Sequence, residues 1–288
     1  MRLLSLLILL FSSCAHSPPG IEPADFDFEI SFRARSGAEL PVPIVHLEFE
    51  GRPLSLLIDT GSTHHALTAS AASRFGLEPS GPTASGSVHG GEKVRVRALG
   101  ARMVSMGSRD VLLEEVLMID APAVFEELGI DGVLSPQRLV GGGTLRLNFP
   151  ERRASFVSFG QVGDGSMSSR PHIQASFDNH PRVLVLVDTG GSRTEYGGFG
   201  VGVSGHTDGG IAINGSRHAA RALVGRRVEV GGASFEGVTV LAVDASKAYE
   251  SGDVLGLVGM DILRHCIVSL APGSVGVSCI KKETSGER

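Results

Sequence analysis

Along most of the chain, apolar residues come in short runs of Val, Ile, Leu and Phe, broken by polar positions and punctuated by glycine. Ile44 to Phe49, Leu54 to Ile58, Val94 to Leu99, Arg102 to Met106, Val116 to Ile119 and Leu145 to Phe149 have the length and β-branched content of strands. Val45-His46-Leu47-Glu48-Phe49, the turn Glu50-Gly51-Arg52-Pro53 and Leu54 to Ile58 predict a hairpin whose second strand runs straight into Asp59. One short helix is predicted, Ala69 to Phe75, capped near Thr68 and ended by Gly76. Residues Ala15 to about Gly37, with Ser17-Pro18-Pro19-Gly20, show no clear period and read as a tether. The pattern is that of an all-β protein.

The pattern also repeats. Arg97-Ala98-Leu99 matches Arg221-Ala222-Leu223, Gly107 matches Gly231 and Asp120-Ala121 matches Asp244-Ala245, each 124 residues apart. Upstream, Leu56-Leu57-Ile58-Asp59-Thr60-Gly61 matches Val185-Leu186-Val187-Asp188-Thr189-Gly190 at an offset of 129. Downstream, Ile130-Asp131-Gly132-Val133-Leu134 matches Leu257-Val258-Gly259-Met260-Asp261 at an offset of 127, which pairs Gly132 with Gly259. The order is the same in both halves, so two lobes of similar fold are expected, 41–160 and 161–282, with a short tail at 283–288.

Composition narrows the function. Of 288 residues, 42% are hydrophobic and 20% charged, which is globular, and Lys+Arg 26 against Asp+Glu 31 leaves no cationic excess for a nucleic-acid backbone. Arg2 followed by the apolar run Leu3 to Phe11 has the outline of a secretion signal, 1–13, too short to span a bilayer. Its ending, Ser12-Ser13-Cys14, resembles a bacterial lipobox, with Phe11 departing from the usual Leu. Cys14 would then carry lipid and head a tethered N-terminus, 14–40, and Ala15 after it favours the outer membrane. The alternative is an ordinary signal peptide with an incidental cysteine. The other two cysteines flank a hairpin turn at Ala271-Pro272-Gly273-Ser274; with Leu270 opposite Val275, Cys266 falls opposite Cys279. They either form a disulfide or remain two buried thiols.

Asp59-Thr60-Gly61-Ser62 after an apolar strand, a glycine-bearing segment near 86–91, and Ile130-Asp131-Gly132-Val133-Leu134 resemble one lobe of an aspartic protease of the pepsin and retropepsin clan. The second half repeats them with Asp188-Thr189-Gly190 and Gly256-Leu257-Val258-Gly259-Met260-Asp261-Ile262-Leu263, the latter similar to bacterial retropepsin-type sequences. The resemblance covers about residues 41 to 280 and implies an all-β, bilobal acid-protease fold, two β-barrel-like lobes with the site at their interface. It implies Asp59 and Asp188 as a catalytic dyad, one chain supplying both, so that a monomer makes a full site. Thr60 and Thr189 would knit the two loops together, and Gly132 and Gly259 would let a later strand pack beneath them. No cofactor or metal is implied, and the partner is a peptide or protein substrate.

Hydrolysis of an amide by water needs a base for the nucleophile and an acid for the substrate, and two carboxylates sharing one proton supply both. One departure stands out: the residue after Asp-Thr-Gly is Ser62 in the first lobe and Gly191 in the second. A Ser62 hydroxyl on Asp59 would leave more of the charge there and more of the proton on Asp188. The flap expected over the cleft is the stretch around Val88, His89 and Gly90, with a counterpart at 205–211. His64 and His65 would face opposite ways and read as cleft wall rather than metal ligands. Gly191 favours one alternative, an inactive peptide-binding lipoprotein of the same fold. A further alternative is a duplicated β-barrel lipoprotein in which the two loops do not meet.

Overall fold

A computed structural model describes residues 26–87, 93–121, 123–141, 143–157, 162–163, 165–167, 169–199, 219–249 and 252–280. The strands of the first half are β1 (Asp27–Glu29), β2 (Ser31–Arg33), β3 (Glu39–Phe49), β4 (Arg52–Ile58), β5 (Ala66–Thr68), β6 (Ser80–Ser87), β7 (Lys93–Met106), β8 (Arg109–Ile119), β9 (Gly132–Leu134), β10 (Thr144–Asn148) and β11 (Arg153–Val157). Those of the second are β12 (Gly165–Met167), β13 (Pro171–Phe177), β14 (Val183–Val187), β15 (Glu195–Tyr196), β16 (Ala220–Val230), β17 (Ala233–Val243), β18 (Val254–Val258), β19 (Cys266–Ala271) and β20 (Ser274–Cys279). The all-β expectation holds. The expected helix forms as α1 (Ala69–Arg74), the Thr68 hydroxyl accepting the Ala71 N–H at 3.0 Å, and Gly76 follows it at φ 67°.

The duplication is visible in the strand pairings. In the first half β3-β4-β9-β5-β8-β7 run in order and β7 returns to β3 at Glu48↔Ser105, closing a ring. In the second, β13-β14-β18-β15-β17-β16 do the same, closed by Ser176↔Glu229 and Phe177↔Val228. Each ring repeats the same mixture: β4–β9 and β14–β18 are parallel, as are β5–β8 and β15–β17. β2 and β6 add to the first ring alongside β3 and β7, and β1, β11, β10, β19, β20 and β12 form one continuous run in which β10 of the first half pairs with β19 of the second, Leu145↔Leu270 through Asn148↔Ile267. One apolar core passes through both halves beneath this run, with Leu145, Leu147, Val268 and Leu270 fully buried. The two loops that end β4 and β14 are thereby set on a common base.

Two expectations change. The stretch read as tether is folded from Phe26 onward, because Phe26-Asp27-Phe28-Glu29-Ile30 alternates apolar and acidic residues and the three apolar ones are buried against β11. The later glycine motif is out of register: Leu56 pairs with Gly132, whereas its counterpart Val185 pairs with Gly256, so Gly132 corresponds to Gly256 and Ser135 to Gly259. Val254-Leu255-Gly256-Leu257-Val258-Gly259 offers two glycines at a spacing of three, of which the second resembles Gly132 in its sequence surroundings and the first occupies its place in the sheet. Cys266 and Cys279 stand opposite each other in the β19–β20 hairpin, with the predicted partner Leu270↔Val275, and form a disulfide.

Candidate active site

Asp59 follows β4 and its N–H donates to the Leu134 carbonyl of β9 at 2.9 Å; Asp188 follows β14 and donates to the Val258 carbonyl of β18 at 3.1 Å. Each aspartate thus leaves its strand at the same point, pinned by the same parallel neighbour. The next residues cross over. Thr60 Oγ1 donates to the Val187 carbonyl at 2.6 Å and accepts the Thr189 N–H at 3.0 Å, while Thr189 Oγ1 donates to the Ile58 carbonyl at 2.7 Å and accepts the Thr60 N–H at 3.0 Å. Both threonines are 0% exposed, so these four bonds satisfy groups that would otherwise be buried without partners.

This exchange brings the carboxyl groups together. Asp59 and Asp188 share a hydrogen bond, and a methyl placed on Gly61 would sit 2.9 Å from Asp188 Oδ1 and 3.1 Å from Asp59 Oδ1. A methyl on Gly190 would lie 2.5 Å from Asp59 Cγ. Glycine is needed at both positions because each loop's backbone packs directly on the other loop's carboxylate. Burial first, and then the Asp188 charge, push the Asp59 carboxyl from its ordinary value up to about 8. The two titrate as a pair that keeps one proton far into the neutral range.

The Ser62–Gly191 difference has less effect than the sequence suggests. The Ser62 hydroxyl donates to the His64 carbonyl at 2.8 Å, not to Asp59. Asp59 instead takes the backbone N–H of Gly61 and of Ser62, and Asp188 Oδ1 takes those of Gly190 at 2.9 Å and Gly191 at 3.0 Å. A backbone N–H does not depend on the side chain, so Gly191 serves Asp188 as Ser62 serves Asp59. The expected excess of charge on Asp59 thereby loses its basis in the Ser62 hydroxyl.

His65 is not cleft wall. It is 1% exposed, and its Nδ1 accepts the Ser135 N–H at 3.2 Å, the place taken in the second lobe by Thr194 Oγ1 accepting from Gly259. An acceptor must be unprotonated, and burial holds the ring neutral, lowering it to about 3. His64, one residue earlier, stays partly exposed with its ring on the Thr63 hydroxyl. Asp131 and Asp261 work inside the fold: Asp131 accepts the Ser55 N–H at 2.9 Å and faces Arg35 and Arg74, while Asp261 accepts from Thr194 at 2.7 Å. Among the described residues no three His, Cys, Asp or Glu side chains stand close enough to hold a metal ion.

Sequence reasoning missed the braces behind the loops. Ser135 Oγ donates to the Ser62 carbonyl at 2.7 Å, and Gln137 Nε2 donates to the carbonyls of Thr60, at 3.2 Å, and Ser62. The second loop is braced by backbone, Met260 N–H to the Gly191 carbonyl at 2.8 Å. A lone Ser or Gln after an apolar run carries no pattern that marks it for this role. The expected flap, Val88, His89 and Gly90, its counterpart at 205–211, and Cys14 lie outside the described residues.

Residues 45–139, which include Asp59 and the first ring's glycine motif, match the aspartyl protease family. The match falls on the first ring and its Asp59 loop, so that part of the chain is similar to an aspartyl protease. Among solved structures, the chain is similar to the aspartic proteinase from Irpex lacteus at 12% identity, covering 92% of this chain and 100% of that one with a TM-score of 0.49. No curated protein sequence matches.

Proposed function

We propose that the protein is an aspartic endopeptidase in which Asp59 and Asp188 together activate a water, and that Cys14 carries a lipid that tethers it to a bacterial envelope, with the outer membrane favoured by Ala15. The observation that supports the dyad most strongly is the reciprocal Thr60–Thr189 exchange, which presents two hydrogen-bonded carboxyls at the meeting point of two duplicated lobes.

With one proton on the pair, the ionised carboxylate takes a proton from water as its oxygen attacks the peptide carbonyl. The protonated carboxyl gives its proton to the carbonyl oxygen, forming a gem-diol. In the collapse the nitrogen accepts the proton first taken from water and leaves as an amine, while a gem-diol hydroxyl returns its proton to the other carboxylate as the carbonyl re-forms. The pair ends as it began, with one proton. Gly61, Ser62, Gly190 and Gly191 hold the carboxylates by backbone N–H groups that do not titrate.

The raised Asp59 fixes the sign of the pH dependence. A carboxyl raised on folding favours the native state fully below its ordinary range, and that contribution is lost as pH rises towards about 8. Cleavage follows the same proton. Protein lacking residues 1–14, given an unbiased peptide library from pH 3 to 9, is expected to cleave through neutral pH and to lose activity above about 8, with a statine-type inhibitor blocking it throughout. No cleavage at any pH would leave the binding lipoprotein as the better reading. The tether is tested by fractionation: Cys14→Ala is expected to move the full-length protein from membranes to the soluble fraction, and a variant that stays membrane-bound would remove the lipid anchor.

A further inference from the structure

Behind the catalytic loops, β2, the start of β3, the β10–β11 turn and the end of β20 surround an open cavity of about 470 Å³, a volume that suits a small ligand. The short helix Met260–Leu263 stands between it and the second loop: the Met260 N–H at its start holds the Gly191 carbonyl, and Arg264 after its end lines the cavity. The floor is apolar. Phe149 is buried, Phe32 and Leu40 are half-buried, and at the rim Ile280 is 58% exposed.

Above that floor the charge is positive. The guanidinium carbons of Arg152 and Arg264 lie 5.8 Å and 6.0 Å from the centroid of the same Phe32 ring. Each contact is favourable, yet together they gather two like charges around one ring. The carboxylate that lines the cavity, Glu39, is taken by Arg33 at 3.1 Å, and among the described residues none pairs with Arg152 or Arg264. Arg264 Nε donates to the Met260 carbonyl at 3.1 Å and Nη2 to the Pro41 carbonyl at 3.4 Å, which fixes the guanidinium and leaves donors to spare. Beyond Ile280 the sequence continues with Lys281-Lys282, of the same sign. Guanidiniums over an aromatic floor, with an exposed isoleucine at the rim, complement an anion that carries hydrocarbon. Phosphate suits the planar guanidinium fork, and a head group that brings its own ammonium would be repelled.

We propose that this cavity receives the phosphate head of an anionic phospholipid, with Arg152 and Arg264 on the phosphate and Phe32 and Ile280 against the first carbons of its chains. The inference takes from the envelope reading only the membrane that the protein would meet, and its test leaves out the anchor. Protein lacking residues 1–14 is expected to float with vesicles of phosphatidylglycerol and phosphatidylcholine in equal parts, and not with phosphatidylcholine alone. Arg152→Gln combined with Arg264→Gln is expected to weaken that binding about thirtyfold, whereas Arg95→Gln combined with Arg221→Gln, exposed and away from the cavity, changes it less than about threefold. Soluble dihexanoyl phosphatidylglycerol is expected to compete, and inorganic phosphate, with no carbons to bury, to compete at least about a hundredfold less well. Unchanged urea midpoints show that the variants remain folded. Such binding is reversible and screened by salt, so fractionation in high salt still reports the Cys14 anchor by itself. Equal binding to both vesicles would overturn the inference, as would phosphatidylglycerol binding that the Arg152–Arg264 variant keeps. Phosphate competing as well as the lipid would assign the cavity to a free anion. Lipid binding that tightens tenfold in Glu283→Gln combined with Glu287→Gln would make the chain's own tail the occupant and overturn the lipid assignment.

Discussion

Asp59→Asn and Asp188→Asn are each expected to lower kcat/KM by about a thousandfold or more, with the fold intact. Asparagine keeps the shape and the acceptor oxygen that takes the Gly61 or Gly190 N–H, so the loop geometry survives. What it removes is the exchangeable proton site. With one aspartate left, the pair has either a base or an acid but not both, and neither half of the proton transfer can be completed. Because the two act as one unit, the double variant is expected to be little worse than either single one. The electrostatic strain should relax at the same time: the Asp188 charge is a leading cause of the raised Asp59, second to burial, so unfolding by urea at pH 8 is expected to show Asp188→Asn at least as stable as wild type. Two readouts must therefore move in opposite directions. A variant that keeps a tenth of the wild-type rate would exclude the dyad.

Much of this site is legible in the chain because its parts are local and doubled. Asp59-Thr60-Gly61 and Asp188-Thr189-Gly190 each follow an apolar strand, and chance does not produce two such copies in order. What escapes is long-range. Residues 80–87, Ser-Gly-Pro-Thr-Ala-Ser-Gly-Ser, have no apolar period, yet they form β6 because β7 offers its edge from Lys93 to Ala98. Phe26 to Ile30 carries an alternation that the signal-like start and the following Pro-Gly segment obscure. Ser135 and Gln137 reach the first loop only once the chain has closed the ring, at a separation of about 75 residues.

The register of the glycine motif has the sharpest consequence for stability. β9 is sandwiched, Gly132 lying opposite Leu56 on one side and Leu67 on the other, and β18 repeats this with Gly256 between Val185 and Tyr196. A methyl on Gly132 would fall 2.0 Å from the Ala66 carbonyl oxygen and 2.9 Å from Leu67 Cα; one on Gly256 would fall 2.4 Å from the Glu195 carbonyl oxygen. These are backbone atoms held in the ring, so no side chain can rotate away to make room. Relief requires β9 or β18 to move off its neighbour, which also releases the Leu134 or Val258 carbonyl that pins the aspartate N–H. Gly132→Ala and Gly256→Ala are therefore each expected to cost more than about 4 kcal/mol, enough to leave a marginally stable domain largely unfolded. Gly252→Ala is the control: a methyl there meets nothing within 4 Å, so its effect is expected to stay within about 0.5 kcal/mol. Urea midpoints and soluble yield for the three variants separate the cases. Gly132→Ala protein that unfolds at the wild-type midpoint would mean that β9 does not pass between β4 and β5, and the support beneath Asp59 would have to be sought elsewhere.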